Sequence, residues 1–331
     1  MGKTYKITFK NGDVYQGEAV NGLPEGSGIY TFANGDVYVG GHTGGYPTGR
    51  GTITYKNGDE YVGDVKRGKP HGRGKYTFPG GDRYVGELKR GLFHGEGKYY
   101  NADGSLQYDG SWRGDDKHGW GVENWSDGSR YEGHFKRGSR HGRGTLYYSE
   151  KHDEKCYEGA FKYGVPNGRG TVWYRNGNSA KGRFKDGELT GKATVYYASG
   201  TVVKARANGS RLDFSEKTIV NYTNGERFEG ILTSDGHLLN GKYFWTNGDV
   251  YEGPFKNGLE HGWGVLRFND GRVHTGYFEC GRRCGRGVTV FPNGDRYDGV
   301  WRKDGSATGS YYYSEGGSRH LDYDKNGIAI R

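Results

Sequence analysis

The chain has 331 residues and a formal net charge of +9, with 32% hydrophobic but 15% aromatic residues. So many rings argue against a disordered chain, because disordered segments are poor in aromatic residues. Three cysteines are too few for a disulfide scaffold and fit a reducing compartment. With no apolar leader and no stretch of membrane-spanning length, the sequence favours an intracellular, soluble protein.

A Tyr-x-Gly motif recurs at intervals of 23 to 26 residues, in thirteen units that cover nearly the whole chain. Gly-x-Gly follows most copies eleven residues later, as Gly72 and Gly74 follow Tyr61. A fixed period of this length is the signature of a repeat architecture. The repeats, including weaker copies, start near Tyr15, Tyr38, Tyr61, Tyr84, Tyr108, Tyr131, Tyr157, Ala180, Val203, Phe228, Tyr251, His274 and Tyr297.

Each repeat reads as two short strands. Asn-Gly or Asp-Gly recurs in one connection, as at Asn57-Gly58, and such pairs favour the tight turns of β-hairpins. The other connection carries a recurring glycine such as Gly68, and no stretch shows helical spacing. The sequence therefore predicts an all-β fold, an elongated antiparallel meander of hairpins that should twist.

Strand alternation separates two kinds of side chain. One face carries Tyr or Phe, glycines and further rings, as in Tyr84 with Gly86, while the other is mostly Lys, Arg, Thr, Val and Glu. A ring that lies over a cross-strand glycine covers bare backbone and offsets the weakness of glycine in a strand. The abundant glycine is therefore interpreted as structural.

These motifs resemble the membrane occupation and recognition nexus (MORN) repeat. In one copy, the residues that carry the resemblance are Tyr61-x-Gly63, Gly68, His71-Gly72-Arg73-Gly74 and Gly81-Asp82. The resemblance covers about residues 5–315. It implies a single-layer antiparallel sheet with a groove along the aromatic face. It also implies a role as a scaffold in cytoskeletal, ciliary or membrane-cortex assemblies, since no additional domain is evident.

The repeat pattern divides the chain into three parts. An N-terminal array is predicted at 1–202 and a C-terminal array at 228–331. Between them, residues 203–227 form a degenerate repeat, where Val203-Lys204-Ala205 replaces Tyr-x-Gly and no Gly-x-Gly follows. We expect a bend or a flattened segment there.

Several kinds of chemistry are disfavoured. Gly2-Lys3-Thr4 lacks the preceding strand and glycine-rich loop of a phosphate site. Histidines at equivalent positions of neighbouring repeats would lie ~9–10 Å apart, too far to share one zinc ion. No nucleophile elbow is present. Nucleic-acid binding is disfavoured because the rings are needed over glycines and both charge signs are mixed. The sequence thus predicts no enzyme, no catalytic residue, no metal and no cofactor.

Cys280 and Cys284 flank a predicted tight turn. Ordinary unpaired cysteines are the simplest interpretation. The alternatives are a thiol pair that binds metal or forms a disulfide, or a contact in a homodimer, because open terminal strands and thiols both permit self-association.

The aromatic face is the predicted partner site, a groove for a helix or an extended peptide of another protein. Large rings concentrate in one stretch, and large rigid rings are good anchors. The predicted groove residues are Trp112, Trp125, Tyr131, Phe135, Tyr148, Phe161, Trp173 and Tyr174.

A basic row of turns supports an alternative function, a membrane tether that binds phosphoinositides or other anionic lipids. The other interpretation is a solvated edge that discourages sheet association. The predicted lipid edge comprises Lys66, Arg67, Lys89, Arg90, Arg113, Lys136 and Arg137, with Lys69 and Arg140 beside them. In either case the protein is expected in the cytoplasm, associated with cytoskeleton, cilium or membrane.

Overall fold

The computed structural model describes residues 4–209, 211–213, 217–233, 236–326 and 328–330. Within these ranges every regular element is a β-strand. The chain divides into two compact units, Met1–Gly168 and Arg169–Arg331.

Strands of the first unit run from β1 to β14, and β15 (Val165–Tyr174) begins in it. Their bounds are β1 (Tyr5–Thr8), β2 (Val14–Val20), β3 (Leu23–Thr31), β4 (Val37–Thr43), β5 (Tyr46–Thr54), β6 (Glu60–Lys66), β7 (Lys69–Thr77), β8 (Arg83–Lys89), β9 (Leu92–Tyr100), β10 (Leu106–Arg113), β11 (Asp116–Asn124), β12 (Arg130–Lys136), β13 (Ser139–Tyr147) and β14 (Glu154–Lys162).

Strands of the second unit continue the same numbering. Their bounds are β16 (Ser179–Lys185), β17 (Glu188–Tyr196), β18 (Val202–Asn208), β19 (Arg211–Asp213), β20 (Thr218–Asn221), β21 (Arg227–Leu232), β22 (Leu238–Phe244), β23 (Val250–Lys256), β24 (Leu259–Glu260), β25 (Gly262–Arg267), β26 (Val273–Glu279), β27 (Arg282–Val290), β28 (Arg296–Trp301), β29 (Ala307–Tyr312) and β30 (Ser318–Tyr323).

Within each unit, strands pair antiparallel and mostly with their neighbours in sequence, although β18 pairs with both β19 and β20 and β23 pairs with both β24 and β25. In the first unit β7 pairs with β6 and with β8, and Gly74 lies opposite both Gly63 and Gly86. In the second, β26 pairs with β25 and with β27. The predicted all-β meander of hairpins is therefore confirmed.

Two kinds of turn connect the strands. Arg67 and Gly68 form a two-residue loop with φ values of 51° and 75°, the double positive φ of a type I′ turn. The other connection is built on Asn57-Gly58-Asp59. There the Asn57 amide donates to the Asp59 carboxylate at 2.9 Å, and the backbone N–H of Asp59 donates back to Asn57 at 3.1 Å.

A second bond ties this Asp to the strand that follows. The Tyr76 hydroxyl donates to the Asp59 carboxylate at 2.6 Å. Asp13 with Tyr30, Asp82 with Tyr99, Glu226 with Tyr243 and Asp295 with Tyr311 repeat the arrangement. The hydroxyl of Tyr311, helped by the backbone N–H of Ser314, lowers the pKa of Asp295 to about 2.

The core unit of each regular repeat is one tyrosine lying over two glycines. Tyr61 has no exposed surface, and a Cβ added to Gly63 or Gly74 would overlap its ring or hydroxyl. The hydroxyl donates to the carbonyl of Asp64 at 2.7 Å. The same bond to the third following residue is made by Tyr15, Tyr38, Tyr84, Tyr108, Tyr131, Tyr157 and Tyr251.

The Gly-x-Gly pair has two different roles. Gly74 makes room for the ring, whereas Gly72 has a φ of 67° at a β-bulge, where the register between β6 and β7 shifts after Gly63. A left-handed backbone is costly for residues with a Cβ. Glycine is therefore required at position 72 by the backbone conformation and at position 74 by the space that the ring needs.

Rings from successive repeats interlock on this face. Phe135 meets Tyr131 of its own repeat edge-on, with centroids 5.2 Å apart, and Tyr108 of the preceding repeat at 5.2 Å. In the second unit Phe255 is placed likewise between Tyr251 and Phe228. Edge-to-face pairs of this kind contribute about 0.5–1.5 kcal/mol beyond the area they bury.

The degenerate repeat replaces large rings with small residues. Val203 is buried where a tyrosine would stand, and Ala205 lies opposite Ala193 where two glycines would pair. In this repeat Val203 is smaller than the usual tyrosine, and Ala193 and Ala205 below it are larger than the usual glycines. Residues 210 and 214–216 of this segment lie outside the described residues, and the bend expected at 203–227 stays a prediction.

His274 occupies the tyrosine position of its repeat and has no exposed surface. Its Nδ1 lies 2.9 Å from Thr289 Oγ1, while Nε2 has no hydrogen-bond partner within the described chain. Burial lowers the pKa of His274 to about 3, and the charge of Arg283 acts in the same direction.

Substituting Gly74→Ala should lower the free energy of unfolding by roughly 1–3 kcal/mol, because the added methyl must displace the Tyr61 ring. Gly80→Ala is the matched control, since nothing lies within 4 Å of a Cβ added there. Urea denaturation followed by circular dichroism measures both. Equal unfolding midpoints for the two variants would contradict the ring-over-glycine packing.

Stability should also fall with acidity through His274. The unfolded histidine takes up a proton near pH ~6.5, whereas the folded one resists it. Its contribution is therefore complete above that pH and is lost progressively as the pH falls toward about 3, its folded pKa. Urea midpoints at pH 7 and pH 5 should differ more for the wild type than for His274→Phe. Parallel pH profiles would refute this role.

Candidate functional site

Four of the predicted groove residues are core residues. Trp112, Tyr131, Phe135 and Phe161 are only 7%, 0%, 3% and 2% exposed. The Trp112 indole N–H donates to the carbonyl of Gly97 at 3.0 Å. These side chains form the floor of the aromatic face and offer a partner little free surface.

The other four are partly exposed. Trp125 and Tyr148 belong to the first unit, and Trp173 and Tyr174 belong to the second. In the first unit, rings at the equivalent position follow successive strands at the side of the Asn-Gly-Asp turns, with Asn101 as an interruption. We call this set the outer ring row: Phe9, Phe32, Tyr55, Phe78, Trp125 and Tyr148.

A cavity opens in this row where the repeat pattern fails. Ile53 stands where Tyr30 and Tyr76 stand in neighbouring repeats, so Asp36 receives no tyrosine hydroxyl from that position. The cavity of about 440 Å³ is lined by Asn34, Asp36, Tyr55, Lys56, Asn57, Asp59 and Tyr76. Burial, together with the carboxylates of Asp36 and Asp59, raises the pKa of Tyr55 to about 12.

Two cations lie on the aromatic face of the first unit. Lys117 pairs with Glu123, and its ammonium lies 5.0 Å from the Tyr108 ring centroid. The Arg140 guanidinium lies 5.3 Å from the Trp125 ring, 5.7 Å from Tyr131 and 5.9 Å from Phe161. Pro24, Pro47 and Pro70 hold the equivalent position in earlier repeats.

The placement of Arg140 corrects one expectation from the sequence. Its position next to a basic turn suggested the lipid edge, yet Arg140 lies opposite Phe135 and faces the rings. Strand alternation carried through the bulge after Gly133 puts the side chain on the aromatic face.

The remaining basic turn residues are all exposed. Arg67, Arg90 and Arg137 occupy the first position of their turns, with φ values between 50° and 57°. Within the described ranges, no carboxylate forms an ion pair with the seven predicted lipid-edge residues. Asp115 and Asp116 interrupt the row.

Sequence reasoning missed two exposed tryptophans on the opposite face. Trp120, 54% exposed, lies across from His134 in the first unit, and Trp263, 59% exposed, lies across from Tyr277 in the second. The available signal was their position between the glycines of Gly-x-Gly, which alternation directs away from the ring face.

The cysteines are free thiols. Cys280 is exposed in a turn with φ 49°, and the Cys284 thiol contacts the Glu279 carboxylate at 3.7 Å. A functional thiol pair or dimer contact stays a prediction.

The described part of the chain offers neither a metal-binding cluster nor a membrane-spanning helix. It contains no cluster of three or more His, Cys, Asp or Glu side chains able to hold a metal ion. Nor does it contain a helix with the length and apolar character needed to cross a membrane.

Comparison with solved structures returns low similarities. The TCP10 domain of Danio rerio CPAP, in complex with a STIL peptide, is 17% identical with a TM-score of 0.28, covering 79% of this chain and 94% of that one. The TCP domain of Drosophila melanogaster SAS-4, in complex with a proline-rich motif of Ana2, is 13% identical with a TM-score of 0.27, covering 69% and 88%. Neither likeness bears on the partner of this chain. Curated proteins give no significant match.

The MORN repeat family model matches ten segments, and they cover more than half of the chain. They are residues 15–37, 38–60, 61–83, 84–106, 108–130, 131–151, 157–179, 181–202, 251–271 and 274–296. Each regular match begins at or next to a ring-over-glycine tyrosine or its substitute. The repeats starting near Val203, Phe228 and Tyr297 are not matched. On this match and on its hairpin architecture, the chain belongs to the MORN repeat family.

Proposed function

We propose that the chain is a non-enzymatic scaffold, and that the aromatic face of its first unit binds a segment of a partner protein. The observation that supports this most directly is the outer ring row. Its rings lie on the same face as the core tyrosines but stay partly exposed. Rings exposed at fixed positions offer a partner large contact area with little loss of side-chain entropy.

Neighbouring rings of the row are held by the turns beside them. The backbone N–H of Trp125 donates to the carbonyl of Ser129, as that of Tyr55 does to Asp59. Because equivalent positions lie two strands apart, their spacing is roughly 9–10 Å. An extended peptide advances that far in about three residues, and a helix in about seven. A helix with heptad spacing, or an extended peptide in the polyproline II conformation with about three residues per turn, can therefore present one apolar side chain per repeat.

The setting we propose is cytoplasmic, within a cytoskeletal, ciliary or membrane-cortex assembly. MORN membership supports this setting, because arrays of this family occur in such assemblies as scaffolds.

Proximity labelling in native cells, with matched variants, tests the partner face. Trp125→Ala combined with Tyr148→Ala should remove a discrete set of labelled proteins, since both rings are partly exposed on the aromatic face. Trp120→Ala is the control, because it removes a comparable exposed ring from the opposite face. Circular dichroism and thermal unfolding verify that each variant folds. Identical labelled sets for all three proteins, or loss with Trp120→Ala alone, would refute the assignment.

A second candidate function is an anionic-lipid tether, favoured by the exposed basic turn row. Each charge near an anionic surface contributes about 1 kcal/mol. Changing Lys66, Arg67, Lys89 and Arg90 to Gln should abolish flotation with phosphatidylserine vesicles, and added salt should weaken flotation of the wild type. If flotation is the same for the wild type and the Gln variant and does not change with salt, the tether is ruled out.

A further inference from the structure

We infer that Arg140 is a carboxylate anchor and that the partner segment bound by the first unit is acidic. This inference rests on the proposed function, since it concerns the chemistry of the segment that the aromatic face receives. It assigns a ligand class to a side chain that the repeat pattern alone leaves without a role.

The surroundings of Arg140 fix the guanidinium in place. Trp125, Tyr131 and Phe161 have their ring centroids within 6 Å of its central carbon, and the side chain keeps part of its surface exposed to a ligand. A guanidinium stacked in this way can donate two parallel hydrogen bonds to one carboxylate. Arg140 is itself only partly exposed, so such a bond would form in a partly dry environment.

Among the residues that the structure describes, none supplies a counter-ion for this charge. The other cation on the face, Lys117, is neutralised by Glu123. For Arg140, no carboxylate lies within ion-pair distance in the described ranges of the chain. Arginine stays protonated in proteins, so a charge held among rings without a carboxylate favours an anionic ligand.

The charged residues around Arg140 also favour an acidic partner segment. Lys136 and Arg137 belong to the same hairpin and are exposed beside Arg140. Asp115 and Asp116 of the preceding turn offset part of this charge. Arg140, Lys136 and Arg137 together nevertheless attract an acidic segment and repel a basic one. A peptide carboxylate fits better than a lipid headgroup because Arg140 lies among the rings of the sheet face, whereas a membrane would meet the exposed turn residues first.

The test uses the full chain and a fluorescent Glu–Leu peptide with Leu at every third position, to match the ring spacing, and Gln–Leu and Lys–Leu peptides of the same pattern for comparison. The wild type should bind the Glu–Leu peptide most tightly. Arg140→Gln should weaken that binding at least about tenfold, as expected for the loss of a charged hydrogen bond. Arg143→Gln is the matched control, because it removes the same charge from an exposed position on the other face of the same strand. It should change binding less than about threefold.

A second variant, which keeps the positive charge, keeps the test valid if the first variant is destabilised. If thermal unfolding shows that Arg140→Gln is destabilised, Arg140→Lys keeps the charge but loses the planar fork, and it should still bind several-fold more weakly. Equal effects of Arg140→Gln and Arg143→Gln would overturn the anchor, as would failure of the wild type to prefer the Glu–Leu peptide. Displacement of the peptide by phosphatidylserine vesicles that depends on Arg140 would assign the site to lipid instead.

Failure of the anchor and failure of the scaffold can be told apart. If Trp125→Ala with Tyr148→Ala removes cellular partners while the Glu–Leu peptide is not preferred, the scaffold stands and its partner is not acidic. If the ring variants change no partner, the scaffold itself fails.

Discussion

The contact between one tyrosine ring and two glycines is the constraint on which the rest of this structure depends. A strand pair normally gains stability from side chains that face each other, and glycine gives up that gain. Here the ring of Tyr61 replaces the missing side chains of Gly63 and Gly74, and its hydroxyl also satisfies a backbone carbonyl. Burial that a second layer would usually provide is thus obtained within one hairpin. This explains how a chain with few aliphatic residues forms a core.

The consequence for function is that rings divide into two populations. Rings such as Phe135 are enclosed between tyrosines of successive repeats and hold the sheet together. Rings of the outer row sit beyond that stack, next to the turns, and keep part of their surface. A mutation in the first population acts on stability, whereas one in the second can act on binding. The distinction matters because both are aromatic residues on the same face.

Much of the fold could be predicted from the sequence because its determinants are local. Asn-Gly pairs specify turns, alternation specifies faces, and the Tyr-x-Gly period specifies the register. Burial was less accessible, since Trp112 is enclosed between Tyr84 and Tyr108 whereas Trp125 lies beside a turn and stays partly exposed. The direction of Arg140 depended on a bulge whose effect alternation alone does not reveal. The exposure of Trp120 follows from alternation, because it lies between Gly119 and Gly121 and therefore points away from the ring face. Partner chemistry, in contrast, has no local signature.

The tyrosine and both of its glycines come from the same repeat, as Tyr61, Gly63 and Gly74 do. A duplicated repeat therefore brings a complete core unit with it and needs no compensating change elsewhere. Solenoid-like arrays in general can gain or lose units because each contacts only its neighbours. For this chain, unequal recombination within the gene would lengthen or shorten the aromatic face by whole steps, and the reach of the protein along a partner could evolve separately from its stability per repeat.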